Sequence, residues 1–424
     1  MTCLSRCLAT VCAVAGAAIL TAGPAAATNG FFAHGYGTSA KAMAGAGVTM
    51  GDGPIASAQN PAIGYKVGNV AGACLTLFMP YREVEFSDNC MMSPLPVGTV
   101  ESKRNFFPIL CGGANVEVRD DTTVGVAVFG NGGMNTDYDV NLYNNYGQGM
   151  ITASAPTGVD MAQAFIALNV AHKLNDQFTV GVAPTFAIQR FKAYGLEPFT
   201  AMSVSPGDVT NNGYSWSYGG GLKLGALWDP ADWLTVGVSY QSRMWMTKFD
   251  KYQGLFAEGG DFDIPAWFSA GIAVRPVPEV AVLLEWKRIF YGSVKSIANT
   301  GAPPFGPLGA SDGAGFGWDD MDVVMLGVQW QATPDLVLRA GVSHSTAFAE
   351  GEQVLLNVLA PATVRTHLSA GFGYRLTPNW TISSSYTYAL PGERSGSTPG
   401  LMAGQSATLR MEQHELVLGL SYKW

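Results

Sequence analysis

From about residue 67 to the end of the chain, apolar residues alternate with small or polar ones in segments of roughly ten. Leu234, Val236, Val238 and Tyr240 share one face, with Thr235, Gly237, Ser239, Gln241 and Arg243 between them. The same split appears in Phe178, Val180, Val182 and Phe186 against Thr179, Gly181 and Thr185. It appears again in Trp380, Ile382, Tyr386 and Tyr388 against Thr381, Ser383, Ser385 and Thr387. Successive side chains of a strand point to opposite faces, so a period of two predicts strands with one apolar and one polar face. Lipid on one side and a wet or filled lumen on the other meet that requirement. Trp228, Trp233, Trp286, Trp330 and Trp380 fall at strand ends, where membrane interfaces favour amphipathic rings.

Short turns alternate with long connections. The turns at residues 119–122, 174–177, 229–232, 275–278, 332–335 and 376–379 each hold Pro, Asp or Asn, which make tight turns. Between them lie long connections at residues 81–103, 131–157, 195–212, 250–261, 292–321, 349–362 and 392–409. Seven long loops and six short turns predict 14 antiparallel strands, an even number that closes a barrel without an open edge. The expected class is therefore all-β, a 14-stranded transmembrane barrel.

Composition agrees. Only 13% of residues are charged and 11% are aromatic. The 32 acidic residues outnumber the 24 basic ones, which opposes nucleic-acid binding. Residues 1–27 read as an export signal, with Arg6, an apolar run and Ala25-Ala26-Ala27 before a mature start at Thr28. No later stretch is apolar for long enough to form a membrane helix. Three cysteines follow the signal, Cys74, Cys90 and Cys111, which allows one disulfide and leaves one thiol over.

Residues 29–62 fit neither a strand nor a solvated tail. They run Asn29-Gly30-Phe31-Phe32, then Lys41-Ala42-Met43-Ala44-Gly45-Ala46-Gly47, then Asp52, and close on Asn60-Pro61-Ala62. Weak helical turns are expected around residues 39–46 and 54–58, and the small residues suit close backbone approach in a confined space. This pattern resembles the start of the FadL family of outer-membrane transporters of fatty acids and aromatic hydrocarbons. The resemblance implies a hatch at residues 28–66 inside a 14-stranded barrel of residues 67–424, with Asn29, Gly30, Phe31, Phe32, Asn60 and Pro61 as gating residues. The last strand, Leu416, Leu418, Leu420, Tyr422 and Trp424, is similar to the family's terminal strand, although Phe is usual at its end. In the third strand, Gly130, Gly132 and Gly133 permit a sharp bend. The family's third strand kinks inward there and opens a lateral hole.

Two outer loops are unusually apolar. Tyr194, Leu196, Pro198, Phe199, Met202 and Val204 lie in the third; Phe249, Tyr252, Leu255 and Phe256 lie in or near the fourth. The resemblance implies a capture groove between them; packing of one loop on the other would account for the same residues. Alternation points Phe165, Phe191, Trp245 and Trp267 into the lumen, either to line an apolar pocket or to pack on the hatch. For a carboxylate ligand the inward cations are Arg243, Lys287 and Arg365, unless acids such as Glu285 pair with them.

No His-Glu-x-x-His or metal-ligand set appears, so no catalytic residue, metal or cofactor is expected. The expected function is passive outer-membrane transport of hydrophobic compounds by a monomer. Ligand would be caught by the loops, bound in the lumen and released sideways at the third strand. Partners would be outer-membrane lipid and lipopolysaccharide, and the barrel-assembly machinery during biogenesis. The alternative is a general diffusion porin for polar solutes. Fatty acid, alkane and aromatic hydrocarbon remain equally open as substrates.

Overall fold

The computed structural model describes residues 29–87, 96–144, 153, 155–397 and 405–424. The export signal and Cys90 lie outside them. One sheet contains fourteen long strands: β1 (Val70–Phe86), β2 (Phe107–Arg119), β3 (Thr122–Asp137), β4 (Gly158–Lys173), β5 (Phe178–Tyr194), β6 (Ser215–Ala231), β7 (Leu234–Gln241), β8 (Trp267–Val277), β9 (Val280–Ile289), β10 (Met321–Gln331), β11 (Leu336–Ser345), β12 (Thr366–Arg375), β13 (Trp380–Ser397) and β14 (Ser406–Lys423). Two short strands, Gly98–Glu101 and Trp245–Met246, add to β1 and β6. The long strands pair antiparallel in chain order, and β14 returns to β1 from Val70↔Lys423 to Phe86↔Ala407. The sheet is thus a closed barrel, as the loop count predicts.

The barrel is apolar outside. Leu168, Val170, Phe178, Val180, Leu224, Leu284, Leu326 and Leu368 are exposed on the outer wall. Their strand neighbours Thr179, Ser217, Lys223, Thr235, Ser239 and Glu285 are buried inside. No helix among the described residues is long and apolar enough to cross a membrane. The strands therefore do the crossing, with their backbone groups paired between neighbours except along the upper parts of β2 and β3.

The N-terminal segment folds into α1 (Gly37–Ala42), a 3-10 turn at Ala56–Ala58 and α2 (Ile63–Val67). The first helix ends four residues earlier than the pattern predicts, because Ala44 and Gly45 take positive φ. The segment is held by inward-facing strand residues. Lys41 Nζ pairs with Glu415 of β14 at 2.8 Å. Glu285 of β9 accepts the Gly47 and Val48 amides at 2.7 and 2.8 Å. Asp52 pairs with Arg339 of β11. Asn60 donates to the Val48 carbonyl at 2.7 Å and to Ala226 and Val238 of the wall at 3.2 Å each. A Cβ at Gly225 would stand 1.9 Å from the Asn60 side-chain oxygen, so the contact needs glycine there.

Cys74 and Cys111 face each other across β1 and β2, with Cα atoms 5.0 Å apart, and form a disulfide. The third strand also differs from expectation. Sequence pattern ends it near Phe129; the structure carries it to Asp137, because β4 continues to pair with it past a bulge at Asn131.

Candidate functional site

The bulge divides β3 into two halves with different neighbours. Below it, β3 pairs with β2 from Glu117↔Thr123 to Gly112↔Val128. Above Gly112 β1 is the barrel strand described as pairing with β2, and above Val128 β4 is the barrel strand described as pairing with β3. The wall therefore has a gap between β2 and β3. Residues 131–136 of β3 are buried on both faces, so alternation stops where the strand leaves the wall.

The N-terminal segment fills the gap from inside. Phe32 forms an isolated β-bridge with Gly132. Ala33 N donates to the Asn131 carbonyl at 2.8 Å, and Gly133 N to the Phe31 carbonyl at 3.0 Å. Tyr36 Oη donates to the Asn131 side chain at 2.7 Å. Hydrocarbon does not tolerate unpaired backbone groups, and these bonds satisfy the freed edge of β3. The first outer loop and the upper end of β1 close the gap from above: Lys103 N donates to the Asp137 carbonyl at 2.9 Å, and the guanidinium of Arg82, on β1, reaches the Asn135 and Arg104 carbonyls.

A chain of aromatic rings runs from the outer loops to this point. Ring centroids are 4.7 Å apart for Phe191 and Phe256, 4.9 Å for Phe256 and Phe262, 5.9 Å for Phe262 and Phe31, and 5.2 Å for Phe31 and Phe32. At its outer end lies an apolar cavity of about 40 Å³ lined by Phe191, Phe199, Phe256, Leu308, Phe316 and Leu359, among others. At its inner end Tyr291 Oη donates to the Asn29 carbonyl. Phe191, Phe199 and Phe256 are thus brought together, while Gly30, Phe31, Phe32, Gly130, Gly132 and Gly133 meet at the gap. Asn60 and Pro61 sit elsewhere, against β5 and β6 near Gly181 and Gly225.

Other expected site residues lie apart. Phe165 packs edge-on to Phe129 at 5.7 Å, and Phe129 contacts Tyr36 at 4.7 Å; this is packing on the N-terminal segment. Trp267 faces inward as expected, beneath Lys287 at 4.4 Å and Lys223 at 5.1 Å. Lys223, whose Nζ donates to the Ala58 carbonyl at 2.6 Å, is absent from the sequence reading. Its parity with Ser215 and Ser217 was the available signal, obscured by the glycine run between them.

Three expectations are corrected. Trp245 is 66% exposed and points out of the barrel. Gln241 faces Lys223 and Trp245 faces Gly220, so one extra residue separates them on β7's side and the inward face shifts to Met244 and Met246. The same slip carries Arg243 to the loop rim. There it binds Asp263 at 2.6 Å and Asp261 at 3.6 Å, and lies 4.8 Å over Trp245. Burial, then the neighbouring Asp263, pushes the Asp261 carboxyl above its ordinary range. Arg365 is exposed just before β12 begins, where alternation no longer applies, and donates to the Ser345 carbonyl at 2.9 Å.

Residues 17–424 match the model of the outer membrane protein transport family (OMPP1/FadL/TodX). The chain belongs to this family. Among solved structures, the P. putida toluene transporter TodX superposes with a TM-score of 0.70 at 16% identity, covering 92% of this chain and 99% of that one. A Pseudomonas aeruginosa FadL homologue gives 0.67 at 17% identity, covering 93% and 99%. The Ralstonia pickettii toluene transporter TbuX gives 0.61 at 14% identity, covering 92% and 99%. No curated protein sequence matches. At these identities the likeness is one of fold. This FadL-family chain is an outer-membrane β-barrel.

Proposed function

We propose that this FadL-family protein carries hydrophobic compounds passively across the outer membrane, with residues 28–66 acting as a hatch in the barrel of residues 67–424. Ligand enters the apolar cavity beneath the third to sixth outer loops. It moves along the rings of Phe191, Phe256, Phe262 and Phe31. Displacement of Phe31 and Phe32 from β3 then frees the gap between β2 and β3, and ligand leaves into the outer leaflet. The observation that carries this reading is the interrupted β2–β3 ladder, occupied by Phe31–Phe32. An apolar ligand gains about 25 cal/mol per Å² on leaving water, so sideways exit avoids returning that energy to the periplasm. The cavity has room for about three waters and is smaller than a hydrocarbon ligand, so its side chains part to admit one.

No charged side chain lines that cavity, and Arg243 and Arg365 do not reach it. Neutral hydrocarbons are therefore the better fit than fatty acids. The test is deletion of Asn131, which removes the bulge and lets β3 rejoin β2. Toluene uptake into cells should fall to background while the folded band on an unheated gel persists; undiminished uptake would sink lateral exit.

One observation favours the porin reading. A cavity of about 380 Å³ opens at the turn end, with Asp52, Gln329, Gln331, Arg339, Arg375 and Lys423 in its wall beside Ile55, Val337 and Leu420. Planar-bilayer conductance separates the two: large steady currents from the wild-type protein favour the porin.

A further inference from the structure

The outer face of β5 runs Phe178, Val180, Val182, Pro184, Phe186, Ile188, then Arg190 and Lys192. Ten residues separate Phe178 from Ile188, about 33 Å of strand at 3.3 Å per residue. A tilt of about 40° reduces this to roughly 25 Å, the height of the apolar band on such barrels. Rings mark both borders. Phe178 stacks on Trp228 at 5.9 Å, and Phe186 on Tyr218 at 6.5 Å. Arg190 lies opposite Trp216, which is 45% exposed. Arg190 and Lys192 therefore stand immediately above the hydrocarbon, at the height of the outer-leaflet headgroups.

Neither has a carboxylate partner among the described residues. The Arg190 guanidinium lies 4.8 Å over the Tyr214 ring, and its buried Nε has no hydrogen-bond partner. Lys192 Nζ lies 5.0 Å from the Tyr214 ring and 5.3 Å from Tyr194. Asp160, opposite Lys192 on β4, meets Arg104 at 3.0 Å and Tyr214 Oη at 2.8 Å through Oδ2, its Oδ1 being buried, and Asp137 accepts from Tyr194 Oη at 2.8 Å; neither makes an ion pair with Arg190 or Lys192. Arg288 on β9 shows the contrast. It lies two residues beyond exposed Trp286 on its own strand, and it pairs with Asp320 at 3.4 Å and Asp322 at 3.3 Å.

We propose that Arg190 and Lys192, held by Tyr194 and Tyr214, form a binding site for a phosphate monoester of the outer-leaflet glycolipid. A guanidinium fork and an ammonium at one height match phosphate oxygens, and ring contacts hold both side chains without neutralising them. The site is on the lipid-facing wall and does not depend on what the lumen carries.

The probes are lipid A bearing its phosphates, the same lipid dephosphorylated, phosphatidylglycerol and inorganic phosphate. Each is titrated into the purified barrel in neutral detergent while the thermal unfolding midpoint is followed; a ligand of the folded state raises it. Phosphorylated lipid A should raise the midpoint. The Arg190→Gln/Lys192→Gln protein should need at least tenfold more lipid for half the effect, and Arg288→Gln the same amount as wild type. The other three probes should act weakly. An equal response of the double variant overturns the site. Equal action of dephosphorylated lipid A overturns the phosphate, and equal action of phosphatidylglycerol or inorganic phosphate overturns the glycolipid. If the double variant does not fold, Lys192→Gln alone should show at least a threefold loss, and no loss refutes the proposal.

Discussion

Phe32 and Gly132 lie side by side as a one-residue β-bridge, and no other residue type fits at 132. A Cβ there would stand 1.7 Å from the Phe31 carbonyl oxygen. The N-terminal segment can therefore close the β2–β3 gap only because β3 presents bare backbone at this point.

Gly132→Val should push Phe31 and Phe32 off the strand. Overpacking of this kind costs about 1–3 kcal/mol. The expected result is a lower unfolding midpoint and intermittent ion conductance in planar bilayers, with the barrel still closed by β1 and β14. Wild-type conductance and stability would show that the bridge does not seal the wall.

Glu415→Gln should loosen the segment at its contact with β14. Lys41, 7% exposed, would keep a buried charge with its carboxylate gone. Removing one partner of a buried pair costs about 3–5 kcal/mol. Limited proteolysis should then cut between residues 29 and 62. An unchanged digestion pattern would mean that Lys41 finds water or another acceptor.

Arg365→Ala should leave toluene and oleate uptake within error of wild type, since its guanidinium binds only the outer rim. Arg243→Ala should differ, leaving Asp261 and Asp263 without their cation. Unpaired buried polar groups cost about 1–3 kcal/mol, here in the ordering of the fourth loop. The Asp261 carboxyl is already held high. A carboxyl whose pKa is raised by folding binds its proton more readily in the folded state, so the Arg243→Ala defect should shrink as pH falls through the carboxylate range. Loss of oleate uptake in Arg365→Ala would return it to the carboxylate-anchor role.

Reduction of Cys74–Cys111, or Cys111→Ser, should lower the unfolding midpoint. The bond closes 37 residues of chain, for which loop-closure entropy gives about 2–4 kcal/mol. It also ties β2 to β1 just where β2 loses β3 as a neighbour, between Cys111 and Gly112. Reduction should therefore speed hydrogen exchange in the upper part of β2 more than in β8 or β12. Uniform exchange would assign the disulfide a purely global role.

Sequence alone determined the barrel. A period of two repeated over fourteen segments, with tight-turn residues at one set of ends, leaves few ways to satisfy backbone groups in lipid. It also put Phe199 and Phe256 in two apolar outer loops that need cover, and turned Phe191 into the lumen by alternation; only the tertiary structure brought Phe191 against Phe256. Residues whose roles depend on parity within a regular strand, such as Trp267 and Lys287, were legible for the same reason. Tertiary structure decided what breaks parity. One extra residue after Gln241 turned Trp245 outward, and one at Asn131 took β3 out of the wall. A bulge changes the direction of every later side chain but leaves the local pattern nearly untouched, so alternation cannot locate it. The seating of Phe31 and Phe32 on Gly132, and of Asn60 on Gly225, belongs to the same class. These contacts join residues about a hundred or more positions apart, and their fit depends on backbone separation that no local propensity encodes.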